Sequence, residues 1–343
     1  MDTVERILLN TVQTAFPVTS RPYQTLGELA GVSEEDAWQR IVQLRKEGII
    51  RRLGGVFDSH RLGYHSTLCA GKVPENKIAE AAEFLNGIPG VTHNYLRSHS
   101  YNMWFTVIAA TKAEVEQIVN KVREIAGTEE IYSLPATRLF KISVDFNFKA
   151  EEIDDDPDED AEEDTEEESS KAPGAWESGE GQTLEITERD KALIRFLQED
   201  LPYSLTPFAE IAETLQWTEN EVLNQTQTML EKRMIRRFGA VLRHQKAGFT
   251  ANAMGVWTVP EDQVEEIGAK MALFREVSHC YQRPTLPDWP YTLFTMIHGR
   301  SAEECQDIMK RIAQATGVKE YRMLFSQTEL KKSSMKYFIE GIM

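Results

Sequence analysis

The chain carries one plan twice. "VTHNYLR" at residues 91–97 returns as "VSHCYQR" at 277–283, about 186 residues later. "KEGIIRRLGGVFDSHRLGYHSTLCAGKVPENKIAEAAEFL" (46–85) likewise lines up with "EKRMIRRFGAVLRHQKAGFTANAMGVWTVPEDQVEEIGAKM" (231–271). Ile50-Arg51-Arg52 thus matches Ile235-Arg236-Arg237, and Val73-Pro74-Glu75 matches Val259-Pro260-Glu261. A period this long is a domain duplication rather than a solenoid repeat, whose periods are far shorter. Any fold assigned to one half must therefore hold for the other.

Each half opens with three helical segments, 4–14, 25–30 and 34–47, mirrored by 188–199, 207–215 and 219–232. Ser33 and Thr218 stand as N-caps before the third, with acids in the first turn. A short helix, a tight turn, a longer helix and then a β-wing ("IIRRLGGVFD", "MIRRFGAVLR") give a winged helix-turn-helix pattern. The next stretch reads strand 66–73, helix 77–85, strands 91–96 and 101–109, helix 112–125 and strand 130–133, and repeats from 251 to 323. That order, βαββαβ, is a ferredoxin-like domain. The predicted class is α+β, a tandem duplication of winged helix-turn-helix and ferredoxin-like units. The expected boundaries are 1–60 and 61–148 for the first pair, and 183–246 and 247–343 for the second.

Between the halves, residues 151–168 hold 14 acids and no base, which accounts for most of the net charge of −17. The remainder, 41 acids against 38 bases, is close to neutral. A run that repels itself and buries no apolar surface predicts a disordered linker over 149–182. The three cysteines, Cys69, Cys280 and Cys305, form no CxxC pair, which argues against a thiolate metal site and for reduced thiols. No apolar run is long enough to span a bilayer, and Met1–Glu5 is acidic where a secretion signal would be basic, so a cytoplasmic protein without membrane partners is expected.

Winged helix followed by βαββαβ resembles the leucine-responsive/asparagine-operon (Lrp/AsnC-like) family of bacterial regulators. A DNA reader, however, needs cations where its second helix meets phosphates. Here that helix begins Ser33-Glu34-Glu35-Asp36 in one half and Thr218-Glu219-Asn220-Glu221 in the other, so no specific DNA binding is expected. A ligand-responsive regulator of this fold remains the alternative.

The chemistry-bearing residues lie elsewhere. Arg51, Arg52, Arg236 and Arg237 sit on the wings, where alternation sends neighbours to opposite faces. His93, Tyr95 and Arg97, like His279, Tyr281 and Arg283, fall at i, i+2 and i+4 and share one strand face. Such a face can hold a carboxylate through arginine, deliver a proton from histidine or tyrosine, or ligate a metal through histidine. After Arg283 the second half carries the longer connector "PTLPDWPYT", with Trp289 as a further substrate contact.

"RRLGGVFDSHRLGY…HNYLR…YNMWF" and "RRFGAVLRHQKAGF…HCYQRP…WPYTLF" resemble the two subunits of the siroheme decarboxylases, fused here by the acidic linker. The resemblance implies removal of CO2 from the C12 and C18 acetates of siroheme to give 12,18-didecarboxysiroheme, in alternative heme or heme d1 biosynthesis. It also implies two halves paired like a heterodimer, with higher homo-oligomers open, and no cofactor beyond the substrate's iron. His279, His93, Tyr281 and Tyr95 become the catalytic candidates, with His244 added because the resemblance places "RHQKAGF" in that subunit type; His60, which does not align with it, is expected to be exposed. The six arginines Arg51, Arg52, Arg97, Arg236, Arg237 and Arg283 become carboxylate binders. The protein alone supplies no metal site, and whether His279 or His93 ligates the iron or donates a proton stays open. The second half is expected to provide the main pocket.

Overall fold

The computed structural model describes residues 1–142, 176–177, 184–242 and 251–339. In chain order the first half runs α1 (Thr3–Thr14), α2 (Pro22–Ala30), α3 (Glu34–Lys46), β1 (Ile50–Phe57), β2 (His65–Gly71), α4 (Ile78–Gly87), β3 (Val91–Arg97), β4 (Met103–Ala109), α5 (Lys112–Ala126), β5 (Ile131–Leu134) and β6 (Arg138–Ile142). A two-residue strand, β7 (Trp176–Glu177), lies beside β6. The second half follows as α6 (Glu188–Leu197), α7 (Pro207–Leu215), α8 (Glu219–Glu231), β8 (Ile235–Leu242), β9 (Ala251–Trp257), α9 (Val264–Leu273), β10 (Val277–Gln282), β11 (Leu293–Gly299), α10 (Ala302–Thr316) and β12 (Tyr321–Lys332). Within the stretch expected to be a linker, Trp176 and Glu177 pair with Leu139 and Arg138 of β6; the rest of that stretch lies outside the described residues.

Local chemistry sets the helix starts. The Ser33 hydroxyl accepts the Asp36 N–H at 3.1 Å, and Thr218 accepts that of Glu221 in a capping box, so both expected caps form. α5 buries Val115, Val119, Val122 and Ala126, and α10 buries Cys305, Ile308, Met309 and Ile312, the spacing of one helical face laid on a sheet.

The wing differs from its sequence reading. Neither half builds the ribbon alone: β1 and β8 pair antiparallel across the duplication, Gly54 opposite Gly239. The two helix-turn-helix units consequently share one core, in which Leu8, Leu9 and Val12 of α1 cluster with Leu193, Ile194 and Leu197 of α6. Gly54 and Gly239 are required there by contact. A Cβ on Gly54 would stand 2.7 Å from the Leu197 carbonyl, and one on Gly239 would stand 2.4 Å from that of Val12, so each wing lies on the first helix of the other half.

The ferredoxin-like units exchange strands in the same way. One ten-stranded sheet runs β5-β2-β4-β3-β12-β9-β11-β10-β6-β7. β12 begins on its own β9 (Tyr321 opposite Trp257) and then crosses to β3 of the first half (Lys332 opposite His93). β5 pairs with its own β2 while β6 crosses to β10 (Ile142 opposite His279). Each His-x-Tyr-x-Arg strand is therefore edged by the last strand of the other half. A cluster drawn from both halves, including Trp104, Trp289, Phe294 and Leu324, fills the space between them.

Candidate active site

The period-2 alternation of β3 and β10 sends His93, Tyr95 and Arg97, and His279, Tyr281 and Arg283, onto one face of each strand. Both faces open onto the same cavity, of about 920 Å³, bounded by the β1–β8 ribbon on one side and strands of the large sheet on the other. The expectation of a main pocket in the second half is thus replaced by one cavity shared between halves. The crossing strands explain why: neither half closes the space by itself.

The two triplets are arranged alike. His93 and Tyr95 stack with centroids 6.2 Å apart, and His279 and Tyr281 at 6.0 Å. A hydroxyl backs each imidazole, Thr92 Oγ1 at 3.0 Å from His93 Nδ1 and Ser278 Oγ at 2.9 Å from His279 Nδ1. The Arg97 guanidinium donates to the Leu324 carbonyl of the second half, and that of Arg283 donates to the Leu134 carbonyl of the first. Beyond those bonds the Nε atoms of Arg97 and Arg283 are buried with no partner, as is that of Arg52. Burial holds all three guanidiniums down to about 10. Three half-buried or buried guanidiniums on the wall of one cavity suit an anionic ligand.

The wing arginines also line the cavity, with their bonds divided between tasks. Arg52 donates to the Gln198 carbonyl at the end of α6 and Arg237 to the Gln13 carbonyl of α1, so the second arginine of each pair also ties the halves together. Arg51 donates to Ser334 Oγ at 2.9 Å, and Arg236 to Asp58 Oδ2 at 2.9 Å. Burial would raise the Asp58 carboxyl, but the Arg236 charge and hydrogen bond hold it below its ordinary value.

Burial lowers His93 to about 4, helped by the positive charges of Lys332 and Arg51. Burial pushes Tyr95 up, reinforced by Glu329, whose carboxylate accepts the phenol at 3.2 Å; burial likewise raises Tyr281 against the opposing charges of Arg236 and Arg283. Both phenols are consequently neutral donors near neutral pH.

Two sequence-derived candidates, Trp289 and His244, stand differently. Trp289 does not line the cavity; it is buried, 5.2 Å from Trp104 and 5.4 Å from Tyr101, and fastens the second-half connector to the first half behind the cavity wall. Its ring packs among Tyr101, Trp104, Tyr291 and Phe294, with the indole N–H buried inside that cluster. His60 is exposed, as expected, yet sits on the cavity lining. His244 lies outside the described residues.

Of the cavity residues that escaped the sequence reading, two stand beside the imidazoles. His298 Nε2 lies 2.9 Å from Ser278 Oγ, and Lys332 stands opposite His93. His298 could have been found by aligning β4 with β11, where it replaces Ile108 in an apolar strand. Lys332 belongs to a strand that runs on past the βαββαβ plan, which no pattern in that plan requires. Among the described residues no group of three metal-ligating side chains forms, and no helix is long and apolar enough to cross a membrane.

Known proteins share this arrangement. Residues 61–141 and 246–331 match the model of an AsnC-like ligand binding domain, and residues 5–51 and 190–236 match that of the siroheme decarboxylase NirDL-like HTH domain. A siroheme decarboxylase of Hydrogenobacter thermophilus is 36% identical over 337 residues, 97% of this chain and 94% of that one. The siroheme decarboxylase beta subunit of Oleidesulfovibrio alaskensis is 49% identical over 154 residues, 45% of this chain and 98% of its own. The crystal structure of the siroheme decarboxylase NirDL in co-complex with an iron-uroporphyrin III analogue superposes with a TM-score of 0.73 at 32% identity, covering 98% of this chain and 95% of that one. With identity sustained through both halves and both domain types, the chain belongs to the siroheme decarboxylase family.

Proposed function

We propose that the protein is a carboxy-lyase that removes CO2 from the C12 and C18 acetate side chains of siroheme, giving 12,18-didecarboxysiroheme. The observation that carries this reading is the convergence of both His-x-Tyr-x-Arg faces and the four wing arginines on one cavity. Its size is at the upper end of small-molecule sites, which run to about 1,000 Å³. A tetrapyrrole with eight carboxylates needs several cations, and Arg51, Arg52, Arg97, Arg236, Arg237 and Arg283 all line the cavity. The names of the relatives, and the tetrapyrrole in the co-complex, support the same substrate class.

The chemistry asked of the protein is limited. Loss of CO2 leaves an electron pair on the methylene carbon, and a positioned acid must protonate it. His279 and His93 are the proposed donors, with Tyr281 and Tyr95 beside them; either imidazole could instead face the substrate's iron. The arginines hold the peripheral carboxylates so that the acetates meet the imidazoles. No cofactor beyond the substrate's own iron is proposed, and the working compartment is the cytoplasm. The regulator alternative gains nothing from α3 and α8, whose first turns present Glu34, Glu35 and Asp36, and Glu219 and Glu221.

Anaerobic incubation with siroheme, followed by mass spectrometry, tests the reading. Loss of two CO2 units is the expected result. Tight binding without mass change would turn the protein into a tetrapyrrole sensor, and absence of binding would remove the substrate assignment altogether.

A further inference from the structure

Among the cavity positions at which the two halves differ, one adds an imidazole. In the second half, His298 Nε2 lies 2.9 Å from Ser278 Oγ, and Ser278 Oγ lies 2.9 Å from His279 Nδ1. The first half has the corresponding hydroxyl and imidazole, Thr92 and His93, but Ile108 stands where His298 does. A strand position that is aliphatic in one copy and imidazole in the other, in line with a candidate acid, has a consequence for protons.

We infer that His298, acting through the Ser278 hydroxyl, is a positioning and proton-relay residue for His279, so that the second half is the better equipped to protonate the substrate carbon. The inference rests on the decarboxylase reading. When the bond to the carboxyl carbon breaks, its electron pair stays on the methylene carbon and CO2 departs. That carbon takes the proton from His279 Nε2. His279 Nδ1 takes the Ser278 hydroxyl proton, Ser278 Oγ takes the proton of His298 Nε2, and a proton from water enters at His298 Nδ1. One solvent proton is consumed for each CO2 released, with no oxidant or reductant.

The electrostatics suit a relay of neutral groups. Burial, then the charge of Lys332, lowers His298 to about 4, so it is an uncharged imidazole with one N–H to give. With that N–H directed at Ser278 Oγ, the serine proton is free for His279 Nδ1, which leaves the His279 proton on Nε2. Ser278 also lies 3.2 Å from the Met296 carbonyl, the competing acceptor for its proton. Without His298 that competition is no longer biased.

The test uses the full chain with His298→Ile, which copies Ile108, together with Ser278→Ala and the conservative Ser278→Thr. Single-turnover decarboxylation should slow by about 10–100-fold in the first two, taking the size found when the hydrogen-bond partner orienting a metal-bound imidazole is lost. Ser278→Thr should restore most of the rate, and siroheme affinity by spectral titration should stay within about twofold. Rates in H2O/D2O mixtures should curve for the wild type, reporting more than one proton in flight, and straighten for His298→Ile. An unchanged rate, or a lost affinity with the rate retained, overturns the relay. If the wild type releases no CO2, the decarboxylase reading fails, and 15N-imidazole NMR of the ligand-free protein decides the relay by itself. His279 held as the Nε2–H tautomer, and released from it by His298→Ile, sustains the relay; a tautomer indifferent to the substitution overturns it.

Discussion

The two halves of the cavity present the same three side chains and surround them differently. Around His93 and Tyr95 the crossing strand β12 places Lys332 and Glu329. Around His279 and Tyr281 the crossing strand β6 places Ile142 and Leu139 at the matching positions. The first site is thus edged by charge and the second by aliphatic side chains, with His298 added behind. Duplication copied the shape, while the exchanged strands let each half rewrite the chemistry of the other's site. Lys332 on that edge suits holding a carboxylate, and Glu329 fixes the Tyr95 phenol; an apolar edge with a hydrogen-bonded histidine suits delivering a proton.

The sharpest way to break this comparison is to remove the imidazoles one at a time. His279→Ala should lower single-turnover decarboxylation by about 10²–10⁴-fold, the range for a lost general acid, and His93→Ala by distinctly less. Equal losses would restore the symmetry, and a larger loss for His93 would reverse the assignment. Next in size is the effect on binding. Arg97→Met and Arg283→Met should each weaken siroheme about 10–100-fold, since a hydrogen bond to a charged group contributes about 1.5–3 kcal/mol. In the ligand-free protein the same substitutions should leave the melting temperature level or raise it, because a buried, incompletely paired cation is removed. A melting temperature that drops for one arginine alone would mark its carbonyl bond, to Leu324 or Leu134, as the greater contribution to holding the halves together.

What the sequence disclosed about these sites follows from the range of its signals. Periodicity is local, so helices such as α7 (Pro207–Leu215) and α5 were legible to within a residue or so, as was the sharing of a strand face by His93, Tyr95 and Arg97. Partnership is not local. Nothing in "IIRRLGGVF" says that its antiparallel neighbour is the other wing, though the paired Gly54 and Gly239 were the trace of that close approach. Lys332 was invisible for the same reason, since its relation to His93 exists only after β12 crosses between halves. Trp289 misled in the opposite way: a tryptophan in an inserted connector can line a pocket or nail the connector down. Only its contacts with Tyr101 and Trp104 choose the second.

The smallest expected effect concerns how far the two sites are coupled. His93 and His298 are both lowered to about 4 from an ordinary 6.5, in each case by burial first and by Lys332 second. In the unfolded chain both recover the ordinary value, so between these limits the unfolded state binds more protons than the folded one. The stability of the ligand-free protein should therefore be fully present above about pH 6.5 and decline as the pH falls toward 4, which urea unfolding at pH 7 and pH 5 would show. Lys332→Ile, which copies Ile142, removes the charge and leaves the burial. Both histidines should then rise part of the way back, and the loss between pH 7 and pH 5 should shrink. Lys332 stands opposite His93, yet its charge also reaches His298 behind the other site, so a single substitution should move both titrations in NMR. If only His93 moves, the electrostatics of the two sites are separable. If both move together, the cavity acts as one field, and the charge edging the first site helps keep the imidazole of the second neutral.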